Sequence, residues 1–298
     1  MTKIVECIPN FSEGRRGEVV EGLAAAARAV AGVTLLDYSA DESHNRSVFT
    51  LVGSPEGIKE AAVSLARYAA AHIDLTKHSG EHPRMGAVDV IPFVPIKNVT
   101  MDECVAISRE VGEIIASELS VPVFLYEESA SKDTRRNLAA IRKGEFEGMA
   151  EKMAKSAWAP DFGPALPHPT AGVVAVGARM PLIAFNVNLS TPDINIANNI
   201  AKIVRGSSGG LKYCKAIGIM LEDRNIAQVS MNMVNFMGTP LYRAVELIRA
   251  EAKRYGVTVI GTELIGLSPA KALIDCAEYY LQIENFDYDK QVLENHVL

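Results

Sequence analysis

The densest group of reactive side chains lies in residues 77–89, which read KHSGEHPRMGAVD and include two histidines, two acids, an arginine and two glycines. Histidine titrates near neutral pH, so it can both give and take a proton in a cell. Pro83 follows His82 directly and biases it towards an extended backbone. We therefore predict an acid/base site at His82, although an ordinary polar loop would have the same composition.

A metal site is the alternative chemistry for these histidines. His78 and His82 are four residues apart, a spacing that aligns two metal ligands when it falls on a helix. Gly80 and Pro83 argue against a helix there, and the HExxH order of a metalloprotease is missing. A zinc site would need distant further ligands, so we expect no metal.

Two other polar segments are candidate walls of the same site. Residues 37–46, DYSADESHNR, fit a solvated hairpin connection, or a substrate-contacting wall that includes Asn45 and Arg46. Residues 161–172, DFGPALPHPTAG, fit either an interdomain linker or a ligand-binding loop, because proline stiffens a loop and glycine lets a ligand approach the backbone. The glycine-rich residues 206–210 lack the Lys-Ser ending of a phosphate-binding loop.

Composition sets the class of protein. The chain has 298 residues, 48% of them hydrophobic, and a formal net charge of −6, which argues against a nucleic-acid partner. Its four cysteines are scattered without a CxxC pair, as in reduced cytosolic proteins. We find no signal peptide and no uncharged apolar run of about 20 residues. We expect a cytoplasmic protein that does not bind membranes.

Hydrophobic periodicity predicts alternating strands and helices. In the first half we expect strands at 3–9, 33–38, 45–53, 87–96 and 121–126, and helices at 18–31, 55–73 and 102–119. In the second half we expect strands at 180–189, 216–221, 226–235 and 257–264, and helices at 191–204, 240–255 and 269–283. Two prolines put strand 87–96 at a sheet edge or near its own end, and residues 145–169 read as an irregular connection.

Each half therefore follows roughly a β-α-β-β-α-β order, the split-βαβ pattern, with one or two further elements at its end. We predict an α/β (α+β) fold of two split-βαβ, ferredoxin-like subdomains, residues 1–178 and 179–298. If the halves are related, a ligand cleft between two similar sheets is expected, since pockets favour domain interfaces.

Several long stretches carry a resemblance to a known family. They are VECIPNFSEG at 5–14, HNRSVFTLVG at 44–53, GEHPRMGAVDVIPFVP at 80–95, WAPDFGP at 158–164, LIAFNVNL at 182–189 and LIGLSPAKAL at 264–273. With these the chain resembles the glutamate formimidoyltransferase family, the transferase part of formimidoyltransferase-cyclodeaminase. The GEHPRMGA stretch is the most specific of them.

The resemblance implies a homodimeric enzyme of one-carbon metabolism and histidine degradation, with tetrahydrofolate as co-substrate, no metal, and His82 as the catalytic residue. It also implies a folate-binding loop, whose middle differs here from the animal pattern. That loop comprises Gly163, Pro164, Ala165, Leu166, Pro167, His168, Pro169, Thr170, Ala171 and Gly172. The sequence ends before any cyclodeaminase part, so we expect a separate enzyme to use the product.

The implied reaction moves a formimino group from N-formimino-L-glutamate to N5 of tetrahydrofolate. One histidine near both nitrogens would move the protons, and Arg46 or Arg84 would bind the donor's carboxylates. Asn10, Asn186 and Asn188 close strands and would orient the substrates by hydrogen bonds. Three alternatives remain open: formiminoglycine as the donor, a non-catalytic folate-binding protein, and a metal-dependent hydrolase that uses His78 and His82.

Overall fold

The computed structural model describes residues 2–297, and the chain divides into two compact units between Arg179 and Met180. The first unit contains strands β1 (Ile4–Cys7), β2 (Asn10–Phe11), β3 (Val33–Asp41), β4 (Arg46–Gly53), β5 (Val88–Lys97), β6 (Val123–Glu127) and β7 (Val174–Ala178). Its helices are α1 (Gly17–Arg28), α2 (Pro55–His72), α3 (Met101–Leu119), α4 (Leu138–Arg142) and α5 (Glu145–Met153).

Within residues 2–179 these strands form one seven-stranded sheet. The β1, β3, β4 and β5 part is antiparallel, with β4 between β3 and β1, and with β5 on the other side of β1. The last two strands extend it in parallel, because β7 pairs with both β5 and β6. The unit is thus a split-βαβ core with a parallel extension.

Sequence signals explain where the long helices of this unit begin. The Ser54 side chain accepts a hydrogen bond from the Gly57 backbone at 3.2 Å, and Pro55 opens α2. Thr100 and Glu103 form a reciprocal capping box at the start of α3. Helices α1 and α2 bury alanine-rich faces against the sheet, and α3 buries a face that includes Ile107 and Ile115, around fully buried side chains such as Phe49 and Phe93.

The second unit contains strands β8 (Ile183–Leu189), β9 (Cys214–Leu221), β10 (Ile226–Met233) and β11 (Val259–Ile265). Its helices are α6 (Ile194–Val204), α7 (Leu241–Arg254), α8 (Ala270–Leu281), α9 (Tyr288–Gln291) and α10 (Glu294–Val297). Within residues 180–297 the four strands form an antiparallel sheet in the order β11-β8-β10-β9. This is the order of β5, β1, β4 and β3 in the first unit, so the predicted pair of split-βαβ units is confirmed.

Two prolines predicted that strand 87–96 lies at a sheet edge or that they stand near its end, and only Pro95 fits the second alternative. Strand β5 is central, between β1 and β2 on one side and β7 on the other. The Ile8 backbone N–H, in the gap between β1 and β2, donates to the Pro92 carbonyl at 3.2 Å. The N–H and the carbonyl of a strand residue point to the same side, so the N–H that proline lacks would also face this gap. Pro92 is therefore tolerated in a central strand. Pro95 lies near the end of the strand, beside a bulge in β1.

The irregular connection predicted for residues 145–169 is also wrong in part, because α5 occupies its start. Helix α4 and strand β7 were not predicted. Helices α4 and α5 cover a small buried cluster that includes Phe124, Ile141 and Met149. No helix within residues 2–297 combines the length and the apolar character that crossing a bilayer requires.

Candidate active site

His82 lies in the loop between α2 and β5, where its Nε2 atom is 2.9 Å from Nη1 of Arg46, the first residue of β4. Arginine only donates hydrogen bonds, so Nε2 must accept this one. A histidine that accepts at Nε2 is neutral and carries its proton on Nδ1. The contact therefore fixes the ring in one protonation state and one tautomer.

The surroundings hold the pKa of His82 well below its ordinary value. Burial is the main cause, followed by the positive charges of Arg46 and Arg142, and together they lower this pKa to about 4. Burial likewise lowers the pKa of the neighbouring Arg46. His82 is thus a neutral group at cellular pH that can accept a proton only when its surroundings change.

The loop that carries His82 is fixed by Arg84, which is buried. The Nε atom of Arg84 donates to His78 Nδ1 at 3.2 Å. Its Nη1 and Nη2 atoms donate to Glu145, twice to Glu147, and to the His78 carbonyl. These bonds use all five donors of the guanidinium. Arg84 thus ties the loop to the start of α5 and has no donor left for a substrate carboxylate.

His78 is equally committed. Because Nδ1 accepts from Arg84, the other ring nitrogen carries the proton, and it donates to the Asn45 carbonyl at 2.9 Å. Neither nitrogen offers a free lone pair to a metal ion. Within residues 2–297 no group of three or more histidine, cysteine or acidic side chains is arranged to hold a metal. The structure gives no support to a metal site built on His78 and His82.

A buried ion pair between Asp89 of β5 and Arg142 lies next to the His82 loop. Asp89 is 1% exposed, accepts from the Met85 backbone N–H at 2.9 Å and pairs with Arg142, the last residue of α4. Burial raises the pKa of Asp89, while Arg142 and the Met85 N–H act in the opposite direction. Asp89 and Met85 link Arg142 to the His82 loop, and the positive charge of Arg142 lowers the pKa of both His82 and Arg46.

The predicted asparagines of this unit have local partners. Asn45 is buried with a φ of 48°, accepts from the Gly14 backbone at 2.9 Å and donates to the Ser79 carbonyl at 3.0 Å. It therefore joins the turn before β4 to the His82 loop. Asn10 is half-buried beside Val48 of β4 and donates to the Ile8 carbonyl at 3.0 Å.

The predicted folate loop is anchored at both ends. At its start Asp161 pairs with the buried Arg135 and accepts from the Leu125 backbone, both at 2.8 Å. At its end the His168 and Gly172 backbones bond each other, and Gly172 packs beside the Met85 carbonyl.

Between those anchors, the loop members differ in exposure. The tip is open to solvent, and it consists of Gly163, Pro164, Ala165 and Leu166. Pro167, His168, Pro169 and Thr170 follow it, with the His168 ring accepting from the Thr170 and Ala171 backbones. Ala171 and Gly172 are buried. The tip, rather than the buried end, is therefore available to a ligand.

In the second unit, Asn186 and Asn188 lie on the face of the sheet opposite α6 and α7. Asn188 accepts from Gln228 at 2.8 Å and donates to Glu263 at 2.9 Å. Hydrogen bonds from Asn188, Asn186 and Gln228 lower the pKa of Glu263, with Arg224 adding to the effect. The structure thus gathers the two predicted asparagines around a carboxylate that the sequence analysis did not single out.

Comparison with known protein families assigns both units of the chain to one family. The N-terminal subdomain of the formiminotransferase domain matches residues 4–179, and the formiminotransferase domain matches residues 184–296. The chain belongs to the formiminotransferase family. It is therefore a transferase, and the predicted family resemblance is confirmed.

Individual relatives agree with this assignment. The chain is 67% identical to glutamate formimidoyltransferase of Streptococcus pyogenes serotype M1, over 100% of both chains. It is 47% identical to formimidoyltransferase-cyclodeaminase of Gallus gallus, over 95% of this chain and 53% of that protein. A microcompartment protein from Desulfitobacterium hafniense aligns in structure over 93% of this chain and 100% of its own, at 12% identity, but its TM-score of 0.24 is too low to inform the fold.

Sequence reasoning missed Asp89, Arg142 and Glu263 as parts of these formiminotransferase clusters. Asp89 had a usable signal, because it is a lone charge within the apolar strand run VDVIPF. Arg142 belongs to a helix of five residues that hydrophobic periodicity could not reveal. Glu263 joins its cluster only through the cross-strand register, in which it pairs with Asn186.

Proposed function

We propose that this chain transfers the formimino group from N-formimino-L-glutamate to tetrahydrofolate, giving 5-formiminotetrahydrofolate and L-glutamate, with His82 as the general acid/base. The 67% identity over the full length of the Streptococcus pyogenes glutamate formimidoyltransferase is the observation that carries the proposal. The contact between His82 and Arg46 supports the assignment of His82, because it joins a neutral proton acceptor to a group that binds carboxylates.

The chemistry needs one proton removed and one delivered. N5 of tetrahydrofolate attacks the formimino carbon, and a new C–N bond forms in a tetrahedral intermediate. His82 takes the proton from N5 and returns it to the glutamate nitrogen as the old C–N bond breaks. Such proton transfer typically contributes ~10²–10⁴ in rate, and the binding of both substrates side by side contributes further.

Arg46 couples donor binding to this proton transfer. In the free protein its N–H occupies the lone pair of His82 Nε2. A donor carboxylate competes for the same guanidinium and forms a stronger, charge-assisted hydrogen bond. The lone pair then becomes free, and the negative charge of the donor raises the pKa of His82. The base is therefore activated only when a donor is bound.

The remaining predicted residues divide into two roles. The exposed tip of the loop, from Gly163 to Leu166, contacts the folate, and Asn10 and Asn186 orient the substrates, whereas Asn188 is buried and holds Glu263 in place. Arg84 and Asn45 position the His82 loop instead, since their hydrogen-bonding groups are already used within the protein. We further propose a cytoplasmic homodimer that acts in histidine degradation and one-carbon metabolism, on the strength of family membership alone.

The direct test is a turnover assay with purified protein, tetrahydrofolate and formiminoglutamate, following 5-formiminotetrahydrofolate. The wild type should form product, and His82→Ala should lose ~10²–10⁴ in kcat, because it removes the acid/base group. Tetrahydrofolate binding, measured by calorimetry, should be retained. His72→Ala is the matched control: His72 is exposed, lies at the end of α2 and stacks on Tyr68.

Near-normal turnover by His82→Ala would remove His82 from the mechanism. Wild-type protein that binds tetrahydrofolate but turns over formiminoglycine instead of formiminoglutamate would change the donor. Binding without turnover of either donor would indicate a folate-binding protein.

A further inference from the structure

Arg142 is a second cation whose charge acts on His82, and the proposed mechanism does not use it. It ends the short helix α4, which begins with the Asn137 side chain accepting from the Ala139 backbone at 3.0 Å. Its Nη2 atom pairs with Asp89, and its side chain is 16% exposed. Asp89 is in turn fixed by the Met85 backbone N–H. The guanidinium of Arg142 is therefore held in place rather than mobile.

Its hydrogen-bonding capacity is largely unused. A guanidinium has five N–H donors, and the pair with Asp89 engages Nη2. The Nε atom is buried and has no acceptor within residues 2–297. Nη1 makes no hydrogen bond within residues 2–297 and is not one of the buried unpaired atoms, so it is the donor that a ligand can reach. In Arg84, by contrast, all five N–H donors form hydrogen bonds within the protein.

The charges around His82 also favour an anion. Arg46 and Arg142 each lower the proton affinity of His82, and Arg142 also opposes the charge of Arg46. Asp89 neutralises one of the two guanidinium groups at most. The two guanidinium groups therefore keep a net positive charge, which favours an anionic ligand.

We propose that Arg142 binds the second carboxylate of a two-carboxylate formimino donor, and thereby sets the preference for formiminoglutamate over formiminoglycine. The inference rests on the proposed function. Arg46 contacts His82, so the donor carboxylate that Arg46 binds is the one beside the reacting nitrogen. Arg142 makes no hydrogen bond to His82 among the described residues and is joined to the His82 loop only through Asp89 and Met85, so it receives the carboxylate at the far end of the side chain. Asp89 is the positioning residue that orients it.

The test compares three donors: formiminoglutamate, formiminoglycine and formiminoglutamine, of which the last two lack the distal carboxylate. Arg142→Gln should lower kcat/KM for formiminoglutamate by about 10- to 100-fold, since it removes a charge-assisted hydrogen bond. The values for the other two donors should change less than about threefold. Arg142→Lys should give an intermediate loss, because it keeps the charge without the planar fork. Arg67→Gln, which removes an exposed partner of Glu118, is the control.

A uniform loss for all three donors, or no loss for formiminoglutamate, would overturn the inference. Arg142→Gln leaves Asp89 buried without its partner, so the double variant Asp89→Asn/Arg142→Gln removes that charge as well, and it decides the matter if the single variant is unstable. Calorimetric binding of formiminoglutamate to the same variants separates the two proposals. A binding defect specific to this donor supports the role of Arg142 even if the wild type does not catalyse transfer to tetrahydrofolate.

Discussion

The contact between Arg46 and His82 sets the working state of a single residue. Protonated His82 would be partly buried and repelled by the positive charges of Arg46 and Arg142. Protonation is therefore unfavourable, and the pKa of His82 is lowered to about 4. A base in this position is inactive when protonated, so kcat/KM should fall only as the pH drops towards 4, not near the ordinary histidine value of about 6.5. The free protein thus keeps its base neutral across the whole cellular pH range.

Replacement of Arg46 by Met should move this fall of kcat/KM at low pH, the acid limb of the pH profile, to a higher pH. The cation lowers the pKa of His82, so its removal raises this pKa towards the ordinary value, and kcat/KM should begin to fall at a higher pH. The pH dependence of kcat/KM, measured where circular dichroism shows a folded protein, tests this. The matched change Arg67→Met should leave the limb in place. An unshifted limb in Arg46→Met would mean that His82 is not the titrating group.

At the scale of elements, the His82 loop depends on its attachment to α5. Arg84→Met removes the bonds to Glu145, Glu147 and His78 together, and leaves the part-buried His78 ring without its donor. The free energy of unfolding should fall by about 1–3 kcal/mol. In contrast, Glu147→Gln should cost less, because Glu147 is 63% exposed and exposed ion pairs contribute little.

Urea unfolding of the two variants measures this difference. Turnover should fall more in Arg84→Met as well, because a displaced His82 meets the substrate in fewer productive geometries. Equal stability of Arg84→Met and the wild type would show that the Arg84 network does not hold the loop.

The end of the 163–172 loop depends on the missing side chain of Gly172. Its φ is 68°, and a Cβ atom there would lie 2.2 Å from the Met85 carbonyl oxygen. Gly32 is the matched control in the same unit: its φ is 74°, but its nearest atom would be Ser54 Oγ at 3.8 Å. Gly32→Ala should therefore cost only the backbone strain, about 1–2 kcal/mol, and Gly172→Ala should cost clearly more.

Thermal unfolding of both glycine variants gives the comparison. Because Met85 also holds Asp89, Gly172→Ala should reduce activity, whereas Gly32→Ala should not. Similar melting temperatures for the two variants would show that the loop moves aside without cost.

The same elements show how far sequence patterns reach. Periodicity, capping residues and turn residues predict the β-α-β-β-α-β order of both units, since each long element carries its own local signal. They miss α4, which is too short for a periodic signal, and β7, whose all-buried run VAVGA does not alternate. The central position of β5 also escapes them, because Pro92 is accommodated by a gap between two other strands.

Site residues follow the same division. His82 and Arg46 stand in dense polar segments, so their residue types alone select them. Asp89 and Arg142 meet only through tertiary structure, and the use of Arg84 and Asn45 in the protein's own hydrogen bonds cannot be read from spacing. Sequence therefore predicts which groups are reactive better than it predicts which groups are already satisfied.

On the scale of the whole molecule, each unit has its own sheet and its own buried cluster. We propose that the boundary beside residue 179 separates parts that fold independently. A chain of residues 1–179 should unfold cooperatively, because it retains every strand of its sheet. A chain of residues 1–171 should not, because it loses β7, the strand that joins β5 to β6 and supplies the buried Val174 and Val176.

Calorimetry and urea unfolding of the two truncated chains test the boundary. A sharp transition for residues 1–179 with none for residues 1–171 would place β7 among the elements the first unit needs to fold. The absence of a cooperative transition in residues 1–179 would instead mean that folding of the first unit requires the rest of the chain, since the local hydrogen bonds of its sheet are all present in that fragment. In that case, substitutions in the core of the second unit, such as Met231→Ala, should lower the stability of the His82 site as well.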